Sequence, residues 1–426
     1  MTIASPDPNV QAQHRSLLAR FLQYVQVETT ADPNSAAVPS TPGQLELGRI
    51  LLSQLQAMEL VNATQDPFGV VRAYLPSNGL PEAEAATLVF NSHIDTAPDA
   101  SGRDVRPQVV FYEGGDIELP NGLRITTEKT PELNKLKGKT LITTNGETLL
   151  GGDDKAGVAI IMEIARHLTS NPSFPRPNVL FLFTCDEEIG RGVASIDVAG
   201  LNGTVAYTFD GGGRGIVNHA TFSANAAVVD FQGVNIHPAI AKNRMINAVR
   251  GVGHFLAQLP PDWSPECTEG DDGFLHPYEI TGGVASVRLR LILRDFATEK
   301  LLTQETCLRN AAARTEEAFP GLQVKVSVHP QYRNMEEGLR LEPRAMQLAL
   351  RAHELLNITP KLEKIRGGTD GSQFTANGLP TPNLSSGQHN IHSPLEFACL
   401  DEMADAYEIG LQLVRLWSNE PRVAPK

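Results

Sequence analysis

Residues 151–190 read GGDDKAGVAIIMEIARHLTSNPSFPRPNVLFLFTCDEEIG. A glycine turn with two acids opens a stretch in which Val158, Ile161 and Ile164 recur at helical spacing, so Lys155–Leu168 is predicted to be a helix. A gap follows, then the apolar run Val179–Thr184, which closes on Asp186, Glu187 and Glu188. A short apolar run of this kind reads as a strand buried on both faces. Further strand candidates lie on either side, at Val70–Leu75, Thr87–Ser92 and Thr204–Phe209. Strand, helix, strand in that rhythm implies an α/β architecture with a mainly parallel sheet flanked by helices.

Working outward, His14–Val27 and Gly43–Leu60 carry helical apolar spacing, and Ala31–Gly43 and Glu113–Leu123 read as loops. From about Thr221 the pattern changes to strand-like Asn225–Phe231, helical Asn247–Leu259, strand-like Ile280–Arg294, helical Thr298–Ala318 and strand-like Leu322–His329. Val287, Leu289, Leu291 and Leu293 alternate with Arg288, Arg290 and Arg294, which places an apolar and a basic face on one strand. This is the signature of an inserted ferredoxin-like α+β domain. The expected division is 1–220 for the first part of a main domain, 221–330 for the insertion and 331–426 for the second part of the main domain. In that last part Glu342–Leu356 and Leu400–Trp417 read as helices, and Gly378–Ser386 contains a strand.

The 426 residues are 41% hydrophobic and 20% charged, enough to bury a sizeable core. A formal charge of −13 disfavours nucleic acid, which demands a basic surface. Met1–Gln11 lacks a basic stretch followed by an apolar one, and no apolar run is long enough to span a bilayer. Four cysteines, Cys185, Cys267, Cys307 and Cys399, lack metal-ligand spacing and fit a reducing compartment, so the expected location is cytoplasmic. Gly211-Gly212-Gly213 does not extend to a dinucleotide fingerprint, because the sixth position is Ile216.

Five segments place acids or a histidine at a strand end or just before a helix, where ligands gather in α/β sheets. In His93-Ile94-Asp95 the period of two points both polar side chains the same way, so the acid can orient the imidazole. Asp153 and Asp154 precede the helix, where an Asp cap is the plain alternative. Asp186, Glu187 and Glu188 end a buried strand and repel one another unless a cation compensates them. Asp210 closes another strand, and either His389 or His392 could be a ligand. Taken singly each segment is weak. Together they supply the nitrogen and oxygen donors favoured by Zn²⁺, Mn²⁺ or Co²⁺, and a metal hydrolase is the reading they favour over a metal-free binding protein.

At this level nearly the whole chain resembles peptidase T, the tripeptide aminopeptidase family within the co-catalytic dizinc group that includes acetylornithine deacetylase, succinyl-diaminopimelate desuccinylase and carboxypeptidase G2. The likeness runs in order through Val38–Thr41, His93–Gly102, Gly114–Ile117, Thr148–Gly157, Asp186–Gly190, Phe209–Gly213, Arg294–Phe296, Asn334-Met335 and Arg366–Gly371. The resemblance implies two Zn²⁺ per subunit, with Co²⁺ or Mn²⁺ as substitutes. His93, Asp153 and Asp210 would hold one ion, and Asp153, Glu188 and His392 the other. It implies Glu187 as general base, Asp95 as the group fixing His93, His237 as an oxyanion partner, and Arg294 and Arg366 as clamps for a peptide carboxylate. It further implies short peptide substrates, release of the N-terminal residue, and a homodimer through the inserted lid domain. Around His392 the chain departs from the family, with Ile391, Ser393, Pro394 and Leu395 where aromatic and basic residues are usual. The rival within the group is an N-acyl-amino-acid deacylase or carboxypeptidase on the same core.

Overall fold

The computed structural model describes residues 14–422, so the reading of Met1–Gln11 lies outside the described residues. The chain divides into two compact units. One takes in the chain up to His219, Glu337–Glu363 and the chain from Thr369; the other is Ala220–Glu336 with Lys364–Gly368.

In the first unit an eight-stranded sheet runs in the order Val61–Gln65, Val71–Leu75, Asn178–Thr184, Thr87–His93, Val205–Gly211, Asn383–Ser385, Ile216–Thr221, Lys361–Ile365. Thr87–His93 pairs in parallel with Asn178–Thr184 on one side and Val205–Gly211 on the other, while the strands Val61–Gln65 and Val71–Leu75 add on antiparallel. Every residue of Thr87–His93 and Asn178–Thr184 is buried, and the apolar runs Leu88–Phe90 and Val179–Phe183 suit strands covered on both faces in the middle of a sheet.

One face packs Phe90, Phe181, Tyr207 and Phe209 against the helices Gly152–Ser170 and Leu400–Trp417. The other packs Val89, Leu180, Leu182 and Ala206 against Val193, Leu201, Phe374 and Leu379. Gly152–Ser170 is buried almost all round, and its apolar residues Val158–Met162 and Ile164 accordingly spread round the helix instead of forming one stripe. At the carboxyl ends of the parallel strands stand His93, Thr184 and Gly211, and the turns beyond them carry the chemistry.

A second, four-stranded sheet in this unit joins Gln388–His389, Phe397–Cys399, Lys139–Thr143 and Gln108–Tyr112 around Tyr112, Leu133, Leu141 and Phe397. Its strands of two to five residues are too short to show a period. Within the Glu113–Leu123 stretch read as a loop, Ile117–Glu118 forms a two-residue strand with Arg124–Ile125.

The other unit has the element order strand, helix, strand, strand, helix, strand. Its sheet order is Phe274–Gly282, Ser286–Asp295, Ser223–Gln232, Gln323–Tyr332, all antiparallel, with helices Ala248–Leu256 and Lys300–Ala318. This is the split βαβ pattern of ferredoxin-like domains. Val287, Leu289, Leu291 and Leu293 enter its core, and Arg288 on the outer face pairs with Asp230 at 2.7 Å. The stretch Ile280–Arg294 read as one strand is a hairpin. Gly282 has φ +136°, and a Cβ there would meet the Ser286 carbonyl oxygen, so only glycine lets the two strands close. Among the described residues no helix is long and apolar enough to cross a membrane.

Candidate metal centre

The turn after Thr87–His93 and the start of the helix Gly152–Ser170 bring His93 and Asp153 together, Nε2 to Oδ1 at 3.0 Å. Asp210, at the end of Val205–Gly211, places Oδ1 3.9 Å from the same imidazole nitrogen. On the other side of Asp153, Oδ2 lies 3.4 Å from His392 Nε2, which is 3.0 Å from Glu188 Oε2. Two donor groups result, His93–Asp153–Asp210 and Asp153–Glu188–His392, each with its ligand atoms within 4.8 Å of one another. Asp153 belongs to both, one oxygen facing each.

The neighbouring candidates are engaged elsewhere. Asp154 is completely buried, pairs with the Ser92 hydroxyl and accepts from Gly157 N–H. His389 is bonded to Glu402 at 2.7 Å and stacked on Phe397. Asp186 accepts from the Ser40 amide and hydroxyl and from Gln44, so its oxygens are occupied within the fold.

Asp95 has a role that spacing alone did not reveal. Its carboxylate accepts from the N–H groups of Glu187 and Glu188, each at 3.1 Å, and so holds the turn that presents both acids. It also faces His93 Nδ1 at 3.5 Å, while the nearer acceptor for that nitrogen is the Asp95 backbone carbonyl at 3.1 Å. Glu187 belongs to neither donor group, yet its Oε2 lies 3.9 Å from His93 Nε2.

Other supports went unmarked in the sequence reading. Gln388 donates to Asp210 Oδ1, and Asn383 accepts from the Asp210 N–H. Buried Lys155 donates to the Val27 carbonyl at 2.7 Å, and Glu396 accepts from three backbone amides at the start of the helix. Gln388, Asn383 and Glu396 lie in a loop or a short strand, where a lone polar residue carries no periodic signal.

Electrostatics tests whether cations belong here. Burial, reinforced by Asp153, pushes the Glu188 carboxyl up to about 7. Burial and the surrounding acids likewise hold Glu187 and Asp210 well above the ordinary carboxylate range. Glu188 Oε1 is buried with no hydrogen-bond partner among the described residues. Hydrogen bonds that His392 donates to Asp153 and Glu188 raise its imidazole to about 11. An orphaned carboxylate oxygen and acids held against mutual repulsion are what divalent ions would relieve, and the mixed His and carboxylate donors suit them.

His237, Arg294 and Arg366 belong to the other unit. His237 is exposed and accepts from Ala239 N–H. Arg294 donates to the Leu293 carbonyl and Gln331 and lies over the Tyr332 ring. Arg366 donates to the carbonyls of Gly270 and Asp272 and to the Thr268 hydroxyl, and lies over Phe222.

The chain matches known proteins in sequence and in fold. Peptidase family M20/M25/M40 matches residues 146–416. The chain is 40% identical over 407 residues to Peptidase T of Geobacillus sp. (strain WCH70), covering 95% of this chain and 99% of that protein. It is 41% identical over 402 residues to Peptidase T of Shouchella clausii (strain KSM-K16), covering 94% and 98%. In fold it resembles the aminopeptidase PepT from Bacillus cereus ATCC 10987, with a TM-score of 0.74 at 21% identity over 95% of this chain and 99% of that one. It also resembles the Bacillus subtilis YXEP protein, a dinuclear metal binding peptidase, with a TM-score of 0.66 at 13% identity over 96% and 99%.

Proposed function

The chain belongs to peptidase family M20/M25/M40, and from that premise we propose that it is a metal-dependent aminopeptidase that removes the N-terminal residue from tripeptides. The observation that supports this most is the pair of donor groups sharing Asp153, with an unshared carboxylate, Glu187, beside them. His93, Asp153 and Asp210 would hold one ion and Asp153, Glu188 and His392 the other; Zn²⁺ is the first choice, with Co²⁺ or Mn²⁺ as substitutes. Two such ions would supply Lewis-acid polarisation of the scissile carbonyl and a lowered pKa for a bound water. Glu187 takes a proton from the attacking water and passes it to the nitrogen of the leaving amine, so that the peptide C–N bond breaks with the proton conserved. Asp95 keeps Glu187 and Glu188 in place through their N–H groups.

Arg294 and Arg366 match the substrate's C-terminal carboxylate in charge and fork geometry, and His237 supplies a donor for the oxyanion. The inserted unit serves as lid and dimerisation domain in this reading. Light scattering on the purified protein would then give twice the 46.1 kDa chain mass; a value for one chain would remove the dimer. Four free cysteines fit a cytoplasmic enzyme.

The activity is tested by giving zinc-loaded protein a tripeptide of three different residues, with its N-acetylated form alongside, and identifying products by mass. Release of the N-terminal residue from the free peptide alone is expected. Cleavage of only the acetylated form, or loss of the C-terminal residue, would move the enzyme to the deacylase or carboxypeptidase branch.

A further inference from the structure

We infer that Glu396 is the positioning residue that sets the bridging carboxylate, by locking the turn that carries Asp153 to the segment that carries His392. The inference rests on the donor groups proposed above as ligands.

The helix Gly152–Ser170 does not begin regularly. Gly151 before it is left-handed at φ +79°, and Asp153 and Asp154 both depart from helical φ and ψ. Backbone N–H groups at such a start have no partner in the helix ladder and must find one elsewhere. Glu396 provides it, with Oε2 accepting from Leu150 and Gly151 at 2.7 and 2.9 Å and Oε1 accepting from Asp153 at 3.1 Å. Its side chain is buried, and a Cβ on Gly152 would come within 3.1 Å of Oε1, so carboxylate and turn are in close contact. Three N–H donors converge on one carboxyl group, and losing the acceptor strands all three in the interior.

What makes this more than a cap is where Glu396 comes from. It lies between the strands Gln388–His389 and Phe397–Cys399, on the same short connection as His392. Gln388 at its base donates to Asp210. One segment therefore supplies a ligand of the second group, supports a ligand of the first and fixes the residue shared by both. Groups that orient ligands in this manner carry roughly 10–100-fold in metal affinity.

Glu396→Gln keeps the size of the side chain but replaces one acceptor oxygen with a donor that faces backbone N–H. The expected result is an apparent Zn²⁺ dissociation constant raised about 10–100-fold, read by competition with a chromophoric chelator, with KM for the peptide unchanged once metal is saturating. Glu396→Asp keeps the charge and withdraws it by one methylene, so an intermediate rise is expected; it also serves if the Gln variant fails to fold. A parental dissociation constant in either folded variant overturns the assignment, as does a variant whose only defect is a lower melting temperature. The unmutated protein in the same titration separates the two ideas: if it takes up no zinc, the dinuclear reading has failed.

Discussion

Glu187→Gln is expected to bind metal like the parent and to lose on the order of 10²–10⁴ in kcat, the usual contribution of a general acid–base group. The amide has nearly the same shape, so the turn held by Asp95 through the Glu187 and Glu188 amides should survive. Glu187 lies outside both donor groups, so no ligand is removed. What disappears is the only function the amide cannot perform, accepting a proton from water and releasing it to the departing nitrogen. Steady-state kinetics with elemental analysis of the same preparation checks both halves. Turnover close to the parent would eliminate Glu187 as the base, and loss of metal would make it a ligand instead.

Asp153→Ala should fail differently, by losing metal and rate together. Its oxygens lie 3.0 Å from His93 and 3.4 Å from His392, so one truncation removes a donor from each group. Because it removes a ligand rather than a group that orients one, affinity should fall by more than the roughly 10–100-fold typical of supporting residues. At stoichiometric zinc the variant should hold less than one ion and show no measurable hydrolysis. Chelation should bring the parent to the same state, with the difference that added zinc restores the parent alone. Melting temperature gives a second readout, since a ligand at 100 times its dissociation constant stabilises by about 2.7 kcal/mol. The parent should melt higher with zinc and the variant should not. Full occupancy of both sites in Asp153→Ala would refute the shared-ligand assignment.

Parts of this site could be read before any coordinates. Val179–Phe183 is apolar throughout because it lies inside the sheet, and Leu400–Trp417 keeps its bounds because its apolar stripe is long enough to show a period. Acids at the ends of such strands stand out against that background. Choosing between adjacent candidates needed either the family resemblance or the geometry. Asp154 turns to Ser92 and His389 to Glu402, and nothing in their own sequence positions distinguishes them from Asp153 and His392. Glu396, Gln388 and Asn383 were illegible because each acts across a long sequence separation from a loop or a strand of two or three residues. The glycines of the Gly282-Gly283 turn are visible as letters, but the alternation that identifies a strand begins only at Val287 and does not mark where the neighbouring strand ends.

The order of the eight strands also bears on when the enzyme comes into being. Asn383–Ser385 lies between Val205–Gly211 and Ile216–Thr221, so a strand made late in synthesis completes a sheet whose neighbours were made much earlier. Ala220–Glu336, in contrast, contains all four strands of its own sheet in one continuous stretch. A chain emerging from the ribosome can finish that sheet while the larger one still has a gap. His93, Asp153, Glu188 and Asp210 are all made before His392 arrives, and the amides that Glu396 will accept wait as long. If these residues are the ligands proposed above, the second donor group stays incomplete until His392 has been made, after His93, Asp153, Glu188 and Asp210.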